Sequence, residues 1–145
     1  MSRYVFHLSI PVRDLTEASH FYTTELGARL GRQADDWVDV LLWGHQITLQ
    51  LDPNRCDSIE SQGKRHFGVV LPWQEWQSLV SDFDGHEAIL SGPVVKHPGT
   101  ASEQGKLYLK DPSNNVIELK AYRDFQSVLG IRDSAYETNG AQPAL

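Results

Sequence analysis

Four polar residues lie in otherwise apolar, strand-like segments and could together hold a metal ion. They are His7 in HLSIPV, Gln50 in ITLQLD, His66 in HFGVV and Glu118 in NVIELKAY. In each segment the apolar neighbours alternate onto the opposite face, which predicts a half-buried strand. A buried carboxylate such as Glu118 is expensive unless a cation or hydrogen bonds offset its desolvation. Two imidazoles and one carboxylate form a donor set that leaves coordination positions open for substrate, water or dioxygen.

The elements that position these residues repeat in the same order along the chain. Module one (4–51) contains a strand over 4–12, a helix through EASHFYTTEL and three short strands in ARLGRQ, DWVDVLLWG and HQITLQLD. Asp14 or Thr16 can cap the helix, and Gly27 ends it. Module two (65–122) contains a strand in RHFGVVLP, a helix in WQEWQSLVSDF, and strands in GPVVKHP, KLYLKDP and NVIELKAY. A polar linker (52–64) separates the modules.

This order predicts an α+β fold, in which two βαβββ modules form a cupped mixed β-sheet with the helices on its convex side. The first strand contains Pro11, which places its end near an edge of the sheet. A cupped sheet would turn the four polar residues into one concave interior. Residues 4–125 form the predicted domain, and the tail (126–145) is predicted to be partly disordered because it is polar and contains Gly and Pro.

Two segments resemble the vicinal-oxygen-chelate superfamily, which includes glyoxalases, extradiol dioxygenases, fosfomycin-resistance proteins and bleomycin-binding proteins. The segments are FHLSIPVRDLTEASHFYTTELGARLGR and LYLKDPSNNVIELKAY, the second with a DP-x-x-N turn before a hydrophobic-Glu-hydrophobic strand. The resemblance covers residues 4 to about 125. It implies that the metal ligands are His7, His66 and Glu118. Many members have glutamate or histidine where this chain has Gln50, so the role of this neutral side chain stays open.

The resemblance implies a small-molecule substrate, and it leaves three classes of function. A dioxygenase using iron(II) is favoured, with manganese, nickel and zinc as the alternative metals. A glyoxalase-like lyase or isomerase is less favoured, because the proton transfer benefits from a second acidic group opposite Glu118 and Gln50 does not supply it. A non-catalytic binding or resistance protein is disfavoured by the intact ligand set. We find no cationic cluster that would mark a phosphonate pocket, so fosfomycin-type chemistry ranks below these.

Several further side chains are candidates for contact with a substrate. Tyr108 and Tyr122 alternate onto the inner faces of their strands, where each could offer a phenol to the substrate or pack in the core. Trp37 and Trp43 could wall an apolar pocket or fill the core. The remaining candidates are weaker: His45 as a turn residue, His97 at the mouth of the cup, and Glu103 and Gln104 in a loop that could close over it.

Composition limits the partners and the location. The 13 basic and 19 acidic residues give a net charge of −6, which argues against nucleic acid because phosphate binding needs a basic face. The single cysteine fits a reducing compartment. The N-terminal segment lacks a signal-peptide pattern, and no segment reaches the length of a membrane span. We expect a cytoplasmic protein that forms a homodimer, because open sheet edges invite pairing.

Overall fold

The structure is a computed structural model that describes residues 4–125. The predicted tail, residues 126–145, lies outside the described residues. The chain divides into two compact units. The first comprises the described residues up to 65 together with 110–116, and the second comprises 66–109 and the described residues from 117 onward.

The first unit contains the elements of module one. They are strand β1 (His7–Val12), helix α1 (Leu15–His20), a π-helical turn (Phe21–Glu25), and strands β2 (Arg29–Gln33), β3 (Trp37–Leu42) and β4 (His45–Leu51). The Asp14 side chain caps α1 by accepting a hydrogen bond from the Glu17 amide at 2.8 Å. A 3₁₀ turn (Pro53–Arg55) and the short helix α2 (Ile59–Gln62) follow, in the segment that we predicted as a linker.

The first sheet has the strand order β1-β4-β3-β2, with β1 parallel and β3 antiparallel to β4. Because β1 is an edge strand, Pro11 is tolerated within it, as predicted. One face of this sheet packs against α1, which contacts β3 and β4. The buried side chains of the unit include Val12, Tyr22, Val40, Leu42 and Leu49.

A polar anchor joins the turn before the last strand to the core of the first unit. Asp111 is almost fully buried and accepts hydrogen bonds from the Tyr22 hydroxyl (2.9 Å) and the Asn115 side-chain amide (2.8 Å). The backbone amides of Ser113 and Asn115 also donate to it, each at 2.8 Å. Burial raises the pKa of Asp111 although these hydrogen bonds lower it, and burial raises the pKa of Tyr22 well above its usual value. The Asp and Asn of the DP-x-x-N pattern, Asp111 and Asn115, are therefore the residues whose hydrogen bonds hold this turn together.

The second unit repeats the arrangement with strands β5 (Phe67–Leu71), β6 (Ile89–Lys96), β7 (Gln104–Lys110) and β8 (Val116–Tyr122), and helix α3 (Trp73–Asp82). The sheet order is β5-β8-β7-β6, with β5 parallel to β8 and β6 antiparallel to β7. The buried Trp76 of α3 donates a hydrogen bond to the Leu119 carbonyl at 3.0 Å. Its ring lies so close to Gly105 that a Cβ there would overlap it. Helix α3 therefore covers the apolar face of β7 and β8, which carries Leu107, Ile117, Leu119 and Ala121.

These observations confirm the predicted α+β fold of two βαβββ modules, each with a mixed four-stranded sheet. The element boundaries differ by a few residues. Strand β6 begins at Ile89, three residues before the predicted GPVVKHP, and β7 begins at Gln104 inside the predicted loop. The predicted first helix is regular only to His20 and continues as a π-helical turn. None of the described helices is both long and apolar enough to span a membrane.

Candidate functional site

The second unit brings two of the predicted ligands into direct contact. Glu118 lies in the middle of β8, and His66 immediately precedes β5, the strand that pairs with β8 in parallel. The His66 Nε2 atom lies 3.0 Å from Glu118 Oε2. The carboxylate is buried, with 8% of its side chain exposed, whereas 37% of the imidazole is exposed. Both side chains belong to the face of the sheet opposite α3, since Leu119 and Ala121 occupy the covered face.

The second carboxylate oxygen of Glu118 lacks a hydrogen-bond partner. Among the described residues, none forms a hydrogen bond to the buried Oε1 atom. Lys106 Nζ lies 3.8 Å from it, a separation that allows attraction between the charges but is too long for a hydrogen bond. A buried carboxylate oxygen without a hydrogen bond is costly unless a cation compensates its charge, and Lys106 does so only in part at this distance.

Tyr108 borders this pair, as the alternation along β7 predicts. Its ring meets the His66 imidazole edge to face, with the ring centroids 5.5 Å apart. Burial raises the pKa of Tyr108 most, and hydrogen bonding to the Glu118 carboxylate and the negative charge of that carboxylate raise it further. Tyr122 is half-buried on the same face of β8, and Lys120 Nζ lies 5.3 Å from the centroid of its ring. Both tyrosines therefore lie on the polar face of the second sheet.

Gly68 sets how closely β5 approaches Glu118. It is the register partner of Glu118 in the parallel pair. A Cβ atom at this position would overlap the backbone of Glu118, above all its carbonyl oxygen. Sequence reasoning did not identify this residue, although a glycine inside a strand pattern is a known signal of close backbone approach.

The sequence analysis identified no cationic cluster that would mark a phosphonate pocket, but the second unit places two lysines on one face of its sheet. Lys106 alternates with Tyr108 on β7, and Lys120 alternates with Glu118 and Tyr122 on β8. Both lysines therefore share the face that carries the His66–Glu118 pair. Lys106 comes close to the Glu118 carboxylate because β7 lies next to β8 in the sheet, whereas Lys120 follows Glu118 on β8 itself and has its ammonium over the Tyr122 ring.

The first unit carries His7 and Gln50 on one face of its sheet. His7 is the register partner of Gln46, and Gln50 is the partner of both Pro11 and Trp37. Partners in a sheet point to the same side, so these residues share the face opposite α1. His7 is exposed and Gln50 is half-buried. Trp37 also lies on this face, beneath the Arg32 guanidinium at 5.6 Å from its ring centroid.

A buried carboxylate that sequence reasoning missed lies at the centre of this face. Asp39 of β3 accepts a hydrogen bond from Thr48 at 2.6 Å and one from Gln46 at 3.1 Å. Arg32 donates through Nε at 3.2 Å, and its NH2 group lies at the same distance. Both oxygens of Asp39 are thus engaged, so the residue organises the first sheet. The signal was present in the sequence, because Asp39 interrupts the apolar run of DWVDVLL.

Comparisons with known proteins agree with this architecture. Residues 4–119 match the model of the Glyoxalase/Bleomycin resistance protein/Dioxygenase superfamily. The chain belongs to this superfamily. A glyoxalase/bleomycin resistance protein/dioxygenase from Alicyclobacillus acidocaldarius is 33% identical, with 84% of this chain and 96% of that chain covered and a TM-score of 0.73. No match was found among curated proteins.

Solved structures with lower sequence identity share the fold. A genomically encoded fosfomycin resistance protein, FosX, from Listeria monocytogenes is 16% identical and has a TM-score of 0.67, with 83% of this chain and 94% of that chain covered. An integron cassette protein from the mobile metagenome of a Halifax Harbour sewage outfall is 22% identical and has a TM-score of 0.62, with 83% and 99% covered. At these identities the likeness shows the fold alone.

The superfamily commonly binds divalent metals, and the His66–Glu118 pair fits such an ion. Ligand atoms about 2.1 Å from a metal and at right angles to each other are roughly 3.0 Å apart. The observed separation of Nε2 and Oε2 is 3.0 Å. Within either unit, however, the residues that the structure describes form no group of three or more His, Cys, Asp or Glu side chains suited to a metal. The third predicted ligand, His7, belongs to the first unit.

The remaining candidates have local structural roles. His45 follows the Trp43-Gly44 turn, in which both residues have positive φ, and its Nδ1 accepts a hydrogen bond from the Phe6 amide at 3.1 Å. Trp43 therefore belongs to a tight hairpin turn between β3 and β4. His97 is exposed just after β6. Glu103 pairs with Arg123 at 3.1 Å, so this loop residue is tied to the end of β8.

Proposed function

We propose that the chain is a metal-dependent vicinal-oxygen-chelate enzyme in which His7, His66 and Glu118 hold one divalent ion. Iron(II) is favoured over manganese, nickel and zinc. The observation that supports the proposal is the buried Glu118 carboxylate, which contacts His66 through one oxygen and leaves the other without a hydrogen bond. When bound, the ion supplies positive charge and adjacent open positions for two oxygen atoms of a small-molecule substrate.

Tyr108 and Tyr122 are proposed to contact the substrate. A tyrosine phenol keeps its proton at neutral pH, and the upward direction of the Tyr108 pKa shift does not change this, so the phenol can donate a hydrogen bond to a substrate oxygen. Tyr122 offers a second phenol on the same face of the sheet. Gln50 can donate or accept a hydrogen bond through its amide, but it cannot accept and return a proton as a carboxylate does.

Dioxygenase chemistry is favoured over proton transfer because, among the residues that the structure describes, neither Gln50 nor Asp39 offers a free general base. An isomerase of the glyoxalase type benefits from a carboxylate beside the substrate that is not itself a ligand. Gln50 is neutral, and the buried Asp39 already uses both oxygens in hydrogen bonds to Thr48, Gln46 and Arg32. Reaction with dioxygen needs two open positions at the metal and does not need that base.

Two parallel assays test the choice between these reactions. In the first, protein loaded with iron(II) under nitrogen receives catechol-type substrates, and oxygen uptake is followed after air is admitted. In the second, nickel- and zinc-loaded protein receives methylglyoxal with glutathione. Oxygen uptake coupled to loss of the catechol is expected. Turnover in the second assay alone would establish the glyoxalase-like alternative, and inactivity in both would favour a non-catalytic binding protein.

We propose further that the protein acts in the cytoplasm as a homodimer. In the described residues, β2 and β6 are edge strands that each pair with one neighbour. Both edges expose apolar side chains, namely Leu30 on β2 and Val94 and Val95 on β6. Exposed apolar edges favour pairing with another chain, and superfamily members are often dimers.

A further inference from the structure

Two lysines share the face of the second sheet that carries the His66–Glu118 pair, although the whole chain has a net charge of −6. Lys106 places its ammonium 3.8 Å from Glu118 Oε1, and only 20% of its side chain is exposed. Lys120 lies two residues beyond Glu118 on the same face, with its ammonium over the Tyr122 ring. A lysine is rarely this far from solvent unless an anion compensates its charge.

Glu118 alone does not balance these charges once the site is loaded. It carries a single negative charge, and His66 already contacts one of its oxygens. A divalent ion together with Lys106 and Lys120 would carry four positive charges against that one. The Lys106 ammonium makes no hydrogen bond to Glu118 at 3.8 Å, so its donors can be offered to a ligand. A negatively charged ligand is the natural complement of such a face.

We infer that the substrate carries an anionic group, a carboxylate or a phosphonate or phosphate, beside its metal-binding oxygens, and that Lys106 binds this group with support from Lys120. The inference rests on the proposed function, because it names the substrate class of the same site. It also separates Lys106 from a purely structural role. A lysine that merely neutralises Glu118 would change folding stability and metal affinity without distinguishing charged from uncharged ligands.

The experiment compares two ligands that differ by one anionic group. Catechol and 3,4-dihydroxybenzoate are titrated calorimetrically into the full-length protein loaded with zinc, which has no redox chemistry. Acetate and inorganic phosphate are then added as competitors, to distinguish carboxylate from phosphate recognition. The variants are Lys106→Met, Lys106→Arg and Lys120→Met. Lys96→Met serves as the matched control, because Lys96 is an exposed lysine of the same sheet on the edge strand β6.

Wild type is expected to prefer the carboxylated ligand by about tenfold or more, the size of one charge-assisted hydrogen bond. Lys106→Met should abolish this preference, Lys106→Arg should retain most of it, Lys120→Met should reduce it, and Lys96→Met should leave it unchanged. Equal affinities for both ligands in wild type, or a preference that survives Lys106→Met, would overturn the inference. If zinc fails to bind, the proposed function fails. In that case the affinities of catechol and 3,4-dihydroxybenzoate are compared on the metal-free protein. A preference for the carboxylated ligand that is lost in Lys106→Met supports the inference, and no such preference overturns it.

Discussion

Replacing Gly68 by alanine would force β5 away from the backbone that carries Glu118. A Cβ at this position would lie 2.8 Å from the carbonyl carbon of Glu118 and 2.9 Å from its amide nitrogen, and closer still to its carbonyl oxygen. The obstacle is backbone within a sheet, so no flexible side chain can move aside. The two strands must separate or shift in register, and the contact between His66 and Glu118 lies directly at this point.

Two effects of different size follow from this geometry. Overpacking in a well-packed interior costs about 1–3 kcal/mol of unfolding free energy. Displacement of a ligand pair by a fraction of an ångström is expected to weaken metal binding by roughly 10- to 100-fold, the usual effect of disturbing the groups that orient metal ligands. The alanine variant should therefore remain folded and lose metal affinity.

Urea denaturation and zinc competition with a chromophoric chelator measure the two effects separately. Gly105→Ala is the matched control, since its Cβ would overlap the Trp76 ring on the opposite face of the second sheet. It should lose comparable stability and keep its zinc affinity. A Gly68→Ala variant that binds zinc as tightly as wild type would refute the argument that Gly68 positions Glu118.

Three further predictions concern the first unit and the assembly. Tyr22→Phe removes the hydroxyl that donates to Asp111, which should cost about 1.5–3 kcal/mol in urea denaturation. The loss of unfolding free energy should be larger at pH 7 than at pH 4. The folded-state pKa of Asp111 is raised, so the contribution of Asp111 to stability falls as the pH rises through that pKa. The Tyr22 hydrogen bond favours the charged carboxylate, so removing it makes this fall in stability larger. Asp39→Ala should cost about 2–3 kcal/mol, because Thr48 loses its acceptor; a loss below 0.5 kcal/mol would argue that water replaces the carboxylate. Light scattering should give about twice the chain mass of 16.3 kDa, and the mass of one chain would contradict the dimer.

The strands and their faces were predictable from the sequence because alternation is a local property. Around Glu118, the apolar Ile117 and Leu119 are fully buried and the acid lies on the other face, as the period-two pattern indicates. The Asp14 cap was predictable for the same reason, since capping depends on residues within one helical turn. The π-helical turn after His20 carries no comparable local signal, and the predicted regular helix there was too long.

Relations between strands were the part that the sequence could not provide. The alternation of Lys106 along β7 is visible in KLYLKD, but its position beside Glu118 depends on β7 and β8 being neighbours in the sheet. The position of Asp39 within the apolar run of DWVDVLL was visible in the sequence, but its hydrogen bond to Thr48 depends on the pairing of β3 with β4. The requirement for glycine at position 68 follows only from its register pairing with Glu118. Each of these relations is made by contacts that are distant along the chain.

The most direct test of the account is the metal content and affinity of the purified protein and its ligand variants. Wild type should bind about one divalent ion per chain and lose it to a chelator. His66→Ala, Glu118→Gln and His7→Ala should each abolish or strongly weaken binding while circular dichroism shows a retained fold. The control variant His97→Ala, at an exposed position after β6, should bind as wild type does. Full metal occupancy in both His66→Ala and Glu118→Gln would contradict the central claim that these two residues hold the ion.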